Sequence, residues 1–114
     1  MATFEALTHP LAFAHMEGGV KTVFVVPWSL EFSMMSSGDR IEFDDLGSIS
    51  IGMIRRYDTL EALLEAEGWS NVVPESASVE EAAGVLRSDA SWNAGAEGAD
   101  GVLALRVRWA KRKS

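Results

Sequence analysis

The stretch "DRIEFDDLGSISIGMIRRY", residues 39–57, decides the fold, because its alternating pattern and its central turn predict a β-hairpin. Apolar and polar residues alternate in both arms. The residues of the apolar face are Ile41, Phe43, Ile49, Ile51 and Met53. Gly52 interrupts the second arm and indicates a bulge or a bend in a curled sheet.

Further strands and helices surround this hairpin in the sequence. "KTVFVV", residues 21–26, predicts a buried strand that Pro27 ends. "VLALRVRWA", residues 102–110, predicts a final strand in which Trp109 faces the core. Helices are predicted within residues 9–19, 58–68 and 78–92, and a Gly/Ala-rich loop at 92–101. Since the helices lie between strands of one antiparallel sheet, the pattern predicts an α+β fold, not a doubly wound one.

Length and composition favour one globular domain over residues 1–114. The chain is 47% hydrophobic and 24% charged, which argues against disorder. No apolar run approaches the roughly 20 residues of a membrane span, and the first residues do not resemble a signal peptide. We therefore expect a cytoplasmic protein without a membrane partner. Cysteine is absent and the two histidines show no metal-ligand spacing, so we expect no metal and no cofactor.

The charge is unevenly distributed along the chain. The net charge is −7, yet residues 106–114 hold five of the ten Lys and Arg residues and no acid. An acidic chain is a poor non-specific nucleic-acid binder, whereas a local basic strip can contact RNA. Residues 110–114 are accordingly predicted as a basic C-terminal tail, which either contacts RNA or keeps the chain soluble.

Glu67 is an acidic residue on the apolar face of its predicted helix. It follows Leu60 by seven residues and Leu63 by four, so the three share one face. It also lies in the last turn, where the helix dipole disfavours a negative charge. Glu67 is therefore either a general acid or base, or a structural residue that reaches water or pairs with an arginine.

Lys21 stands at the head of the first long strand and alternates with Val23 and Val25 on one face. If it is buried, it needs a carboxylate partner. In a site, its ammonium would stabilise a developing negative charge or contact a phosphate. The alternative is a strand-end lysine in water.

Four further residues are predicted to bind a ligand. Arg55, Arg56 and Tyr57 end the longest strand, where an arginine and the tyrosine on one face suit a phosphate and a stacked base. A solvated sheet edge is the alternative. Trp28, next to Pro27 in a loop, offers a second stacking surface.

In their order and spacing, these segments resemble the ASCH domain, a small relative of the PUA RNA-binding domain. The matching pieces are "FAHMEGGVKTVFV" (13–25), "SGDRIEF" (37–43), "IRRYDTLEALLEAEG" (54–68), "SVEEAAGVLRS" (78–88) and "GVLALRVRW" (101–109). The resemblance spans about residues 9–109. It implies a PUA-like curled antiparallel β-barrel with helices covering one cleft, and an RNA or nucleotide context.

One branch of that family hydrolyses N4-acetylcytidine, and others resemble ribonucleases. In the amidohydrolase branch a lysine of the strand motif, a threonine three residues on and a helix glutamate do the chemistry. Lys21 matches the lysine, and Glu67 matches the glutamate with a one-residue gap in the alignment. Phe24 and Val26 replace a polar residue and an arginine of the motif, which favours binding over catalysis.

The sequence therefore predicts an ASCH-type domain that binds RNA, a nucleotide or a modified nucleoside in a cleft between barrel and helices. One alternative is a hydrolase of the N4-acetylcytidine amidohydrolase or ribonuclease type that uses Lys21 and Glu67. The other is a non-catalytic domain that binds proteins through the apolar residues Trp28, Met34 and Met35. The oligomeric state is left open.

Overall fold

A computed structural model of the chain describes residues 1–89, 92 and 100–113. These residues form five strands and five helices. In chain order they are β1 (Thr3–Glu5), α1 (Pro10–Glu17), β2 (Val23–Pro27), α2 (Leu30–Ser33), β3 (Arg40–Phe43), β4 (Gly47–Tyr57), α3 (Leu60–Glu67), α4 (Trp69–Val72), α5 (Val79–Ser88) and β5 (Val102–Arg112). The loop predicted at 92–101 falls mostly on 93–99, outside the described residues. Within the described ranges, no helix is long and apolar enough to cross a membrane.

The five strands form one sheet in the order β1-β3-β4-β5-β2. The predicted hairpin is confirmed as β3 and β4, which pair antiparallel from Arg40 opposite Ser50 to Phe43 opposite Gly47. The short strand β1 has no strong sequence pattern and was not predicted. Because β1 pairs parallel with β3, the sheet is mixed, whereas every other pair is antiparallel. The predicted α+β fold with a curled sheet is confirmed, and the half-barrel that this sheet forms is consistent with a PUA-like barrel.

Each face of the sheet is covered by its own group of buried residues. One face packs against α1 and includes Phe13, Met16, Ile41, Phe43 and Ile49. The other packs against α3, α4 and α5 and includes Leu60, Leu63, Leu64, Val72 and Ala82. We call these the α1 core and the α3–α5 core. Strand β2 contributes to both, with Phe24 and Val26 in the first and Val23 and Val25 in the second.

An irregularity in the pairing of β4 with β5 overturns two predictions. The register shifts on both sides of Ile51, which confirms the bulge indicated by Gly52. A bulge adds a residue to one strand and reverses the inward–outward alternation beyond it. Met53 is therefore 58% exposed and Trp109 is 45% exposed, and neither lies in the core as predicted. Strand β5 also continues to Arg112, through much of the predicted basic tail.

Side-chain caps fix the starts of the longer helices. His9 accepts a hydrogen bond from the Leu11 N–H at the start of α1, where Pro10 takes the first helical position. Thr59 accepts from the Ala62 N–H in α3, and Ser78 accepts from the Glu81 N–H in α5. These caps confirm that α1, α3 and α5 begin within the predicted ranges.

Candidate functional site

A cavity of about 400 Å³ lies between α1, the edge of β2, the segment after α4 and the end of α5. Most of the residues that line it are apolar, and a smaller number are polar. These polar residues are Thr8, His9, His15, Lys21, Glu75, Asp89 and Trp92. An apolar cavity of this size with a few convergent polar groups is the usual form of a small-molecule site. We call it the main cavity.

The main cavity runs along the open edge of the sheet. Phe24 and Val26 belong to the α1 core, and Val25 belongs to the α3–α5 core. All three nevertheless line the main cavity. Residues from both faces of one strand line a single cavity only where that cavity lies beside the strand's edge. β2 is such an edge, since among the described residues β5 is the one strand that pairs with it.

A tight turn after α1 places Lys21 in the cavity wall. Gly19 adopts φ +81, a left-handed conformation that suits glycine and reverses the chain. The backbone N–H groups of Val20 and Lys21 then both donate to the His15 carbonyl at 3.0 Å. The Thr22 N–H donates to the Asn71 carbonyl at 2.9 Å, which fastens the turn to α4.

Lys21 is only 4% exposed, so it is not a solvated strand-end lysine. Its Nζ donates a hydrogen bond to the carbonyl oxygen of Val72. Burial lowers the pKa of Lys21 from 10.5 to about 8, and the negative charge of Glu75 opposes part of this shift. Lys21 is thus a buried ammonium at neutral pH that loses its proton under mildly alkaline conditions. A titratable group perturbed in this way, within a cavity, is a candidate functional residue.

Sequence reasoning missed most of the polar residues around Lys21. His15 Nδ1 lies 3.8 Å from Glu75 Oε1, and His9 Nδ1 accepts the Leu11 N–H at 3.2 Å. Of these residues, His15 has a signal in the sequence, because it follows Leu11 by four residues and therefore lies on the same face of α1. Both residues line the cavity. Glu75 follows Pro74 in a loop, where no periodicity marks it. Within the described ranges, no group of three or more His, Cys, Asp or Glu residues is arranged to hold a metal ion.

Glu67 lies away from Lys21, on a second cavity of about 100 Å³. Its carboxylate accepts a hydrogen bond of 2.5 Å from the Tyr57 hydroxyl, and this bond raises the pKa of Tyr57. Arg55 lines the same small cavity, with Arg106 on the neighbouring strand. The hydrogen bond from Tyr57 therefore explains why the acidic residue Glu67 lies on the apolar side of α3. Lys21 and Glu67 line different cavities, while Tyr57, Arg55 and Glu67 lie together.

The other predicted ligand-binding residues lie outside the main cavity lining. Arg56 is exposed, pairs with Asp58 at 2.9 Å and donates to the Asp100 carbonyl at 2.9 Å. Trp28 is half-buried and packs against the α1 core. Met35 is buried in the same core and Met34 is 74% exposed. Trp28, Met34 and Met35 therefore do not form the continuous apolar surface predicted for protein binding.

A basic surface lies on strands β3 and β5 of the sheet. Arg40, Ser50 and Trp109 face each other across three strands, and the Arg40 guanidinium lies 5.6 Å from the Trp109 ring centre. The exposed residues Arg106, Arg108 and Lys111 continue this surface along β5. The acidic residue Glu42 adjoins this surface. It lies opposite Ser48 on β4, and Ser48 in turn lies opposite Lys111 on β5. We call the surface formed by Arg40, Arg106, Arg108, Trp109 and Lys111 the basic face.

Two solved structures resemble the chain over nearly its whole length. The crystal structure of hypothetical protein PH0355 has a TM-score of 0.83 and 24% sequence identity, covering 97% of this chain and 100% of that one. The solution structure of protein PF0455 from Pyrococcus furiosus has a TM-score of 0.74 and 24% identity, covering 95% of this chain and 96% of that one. No protein-family model matches the sequence, and a search of curated proteins finds no match. The likeness shows the fold, and membership of the ASCH family stays a prediction.

Proposed function

We propose that the chain binds a nucleoside, free or as a single residue of RNA, in the main cavity. The observation that carries the proposal is the buried ammonium of Lys21 in the wall of that cavity. An ammonium has three N–H donors, and the Val72 carbonyl takes one of them. The remaining donors suit the carbonyl or ring nitrogen of a bound base.

The charges around the main cavity favour a nucleoside over a nucleoside phosphate. Glu75 and Asp89 line the cavity together with Lys21. Carboxylates repel a phosphate, whereas a base offers both donors and acceptors to such a mixed lining. Phe24 and the neighbouring valines supply apolar walls for the base. The fold is compatible with this kind of binding, and the two similar structures carry no stated function.

Titration calorimetry with uridine, cytidine, adenosine, guanosine and N4-acetylcytidine tests the proposal. We expect saturable binding of at least one of them and a raised melting temperature, because a ligand of the native state stabilises it. Lys21→Met should weaken that binding about 10-fold or more, because it removes the buried donor. Lys111→Met removes an exposed lysine from the basic face and should bind as the wild type does. Failure of every nucleoside to bind, or equal binding by Lys21→Met, would reject the proposal.

The source of the nucleoside can be distinguished with a short single-stranded RNA that contains the preferred residue. If RNA is the source, it should bind more tightly than the free nucleoside, with an affinity that falls steeply as salt rises. That extra affinity should disappear in the variant Arg108→Glu/Lys111→Glu, which reverses two charges of the basic face. RNA and nucleoside of equal affinity at all salt concentrations would identify the free nucleoside as the ligand.

Hydrolysis of an N-acylated nucleoside is a second candidate, favoured by the low pKa of Lys21 and by Glu75 in the same cavity. In this reaction water adds to the acyl carbon, the C–N bond breaks, and the amine leaves with the proton that water gives up. Glu75 would accept that proton, and Lys21 would stabilise the negative oxygen that forms on the acyl carbon.

Release of acetate and cytidine from N4-acetylcytidine measures this activity. Glu75→Gln should abolish turnover and still bind the nucleoside, because it keeps the side chain's shape. Glu67→Gln, on the second cavity, should retain turnover. Absence of turnover in the wild type would leave binding as the function. If Glu67→Gln lost turnover while Glu75→Gln kept it, Glu67 would be the acid–base residue.

A further inference from the structure

The backbone of β2 alternates between β5 and the main cavity. The Trp28 N–H donates to the Gly101 carbonyl, and the Val107 N–H donates to the Thr22 carbonyl. In the antiparallel register, Phe24 and Val26 occupy the hydrogen-bonded positions between these two bonds. The N–H and C=O groups of Val25 therefore point away from β5, at the edge that the main cavity adjoins.

Among the residues that the structure describes, neither of these two groups of Val25 has a hydrogen-bond partner. Val25 is 5% exposed and lines the main cavity. Within the described ranges, no backbone hydrogen bond joins Val25 to a residue outside the sheet. Buried backbone groups are almost always paired with protein, water or ligand, because an unpaired one costs free energy. A ligand in the cavity can supply the missing donor and acceptor.

Val23 also faces away from β5 but does not line the cavity. The stretch of edge that adjoins the cavity is therefore too short to add a peptide strand. Pro27, the next position that faces away from β5, has no N–H to donate. Strand addition depends on a series of main-chain hydrogen bonds along an edge. One N–H and one C=O side by side suit a small planar group with one acceptor next to one donor.

We propose that the main cavity recognises the Watson–Crick edge of an unpaired base through the backbone of Val25. This inference rests on the proposed function. The Val25 N–H donates to an acceptor on that edge, and the Val25 carbonyl accepts from the adjacent N–H of the base. A base held in this way cannot be paired with another base, so the ligand is a free nucleoside or a base in single-stranded RNA. Lys21 is left to bind a further acceptor of the base.

Methylated nucleosides test the inference without altering the protein. Each nucleoside is compared by calorimetry with an analogue that lacks N–H groups on the Watson–Crick edge. The pairs are uridine with 3-methyluridine, cytidine with N4,N4-dimethylcytidine, adenosine with N6,N6-dimethyladenosine, guanosine with N1,N2,N2-trimethylguanosine, and N4-acetylcytidine with its N4-methyl derivative. For the nucleoside that binds best, we expect methylation to weaken binding about 10-fold or more, because the Val25 carbonyl loses its donor. Equal affinities within each pair would overturn the inference and leave the proposed function intact, whereas failure of all nucleosides to bind would reject both.

The variant Val25→Pro tests the same contact from the protein side. Proline is tolerated on edge strands where its missing N–H faces away from the sheet, as Pro27 already shows two residues later. We expect a native circular dichroism spectrum and about 10-fold weaker binding of the preferred nucleoside. A folded Val25→Pro protein with unchanged affinity would contradict the inference.

Discussion

The variant Lys21→Met is expected to be more stable than the wild type at pH 7 and to lose that advantage as the pH rises. A pKa that falls from 10.5 in the unfolded chain to about 8 in the native state disfavours the charged form by about 3 kcal/mol. Methionine fills a similar volume without a charge. It forfeits the hydrogen bond to the Val72 carbonyl, which offsets about 1–3 kcal/mol of the gain.

The sign of the pH dependence follows from proton binding by the two states. Between about pH 8 and pH 10.5 the unfolded chain keeps the Lys21 proton that the native state has released. Stability rises with pH wherever the unfolded state binds more protons. Relative to Lys21→Met, the wild type should therefore gain about 2 kcal/mol between pH 7 and pH 9.5. Below pH 7, where both states are protonated, the difference should be constant.

Urea unfolding of both proteins at half-unit pH intervals measures this difference. Subtracting the two curves removes other groups that titrate in the range, such as Tyr57, whose pKa is raised by Glu67. Lys111→Met, which removes an exposed lysine, controls for the loss of one positive charge. A constant difference from pH 7 to pH 9.5 would show that Lys21 is not desolvated, and would remove the main support for a binding site around it.

The fold could be predicted largely from local patterns. Alternation in residues 39–57 specifies the hairpin, and the capping residues Thr59 and Ser78 specify where two helices begin. Gly52 indicates a bulge, but its effect on register depends on how β5 pairs with β4, which no local pattern contains. Trp109 was placed on the wrong face for that reason. The strand β1 has three residues and is defined by its pairing with β3. A segment this short shows no periodicity from which it could be predicted.

The candidate site could be predicted only in part. Lys21 was identified by its position in a strand pattern and by the family resemblance, and the structure places it in the main cavity. Its neighbours His15 and Glu75 lie 60 residues apart and meet only through the packing of α1 against the segment after α4. Glu67 was identified correctly as an unusual position on its helix. Its partner Tyr57 lies on β4, so the reason for that position is a tertiary contact.

Phe13→Ala is expected to cost about 3–5 kcal/mol of unfolding free energy, the usual range for deleting a fully buried phenylalanine. Phe13 is 0% exposed and, with Met16, packs α1 against the sheet. Its ring packs edge-on against Phe43 at 6.0 Å and lies 5.3 Å from the Arg112 guanidinium. Arg112 also pairs with Glu17 at the end of α1. Removing the ring leaves a cavity and weakens all of these contacts together.

The consequence for the candidate site follows from the position of α1. This helix supplies Ala12 and His15 to the wall of the main cavity, on the side opposite to Phe13. Urea unfolding should therefore show the loss of stability, and nucleoside binding should weaken in the folded fraction as α1 loosens. Leu11→Ala lies on the same helix at a residue that is 49% exposed, and should change stability by less than about 1 kcal/mol. If Phe13→Ala were no more destabilising than Leu11→Ala, α1 would not be anchored through Phe13, and the wall that it gives the cavity would have to be held by the turn around Gly19 instead.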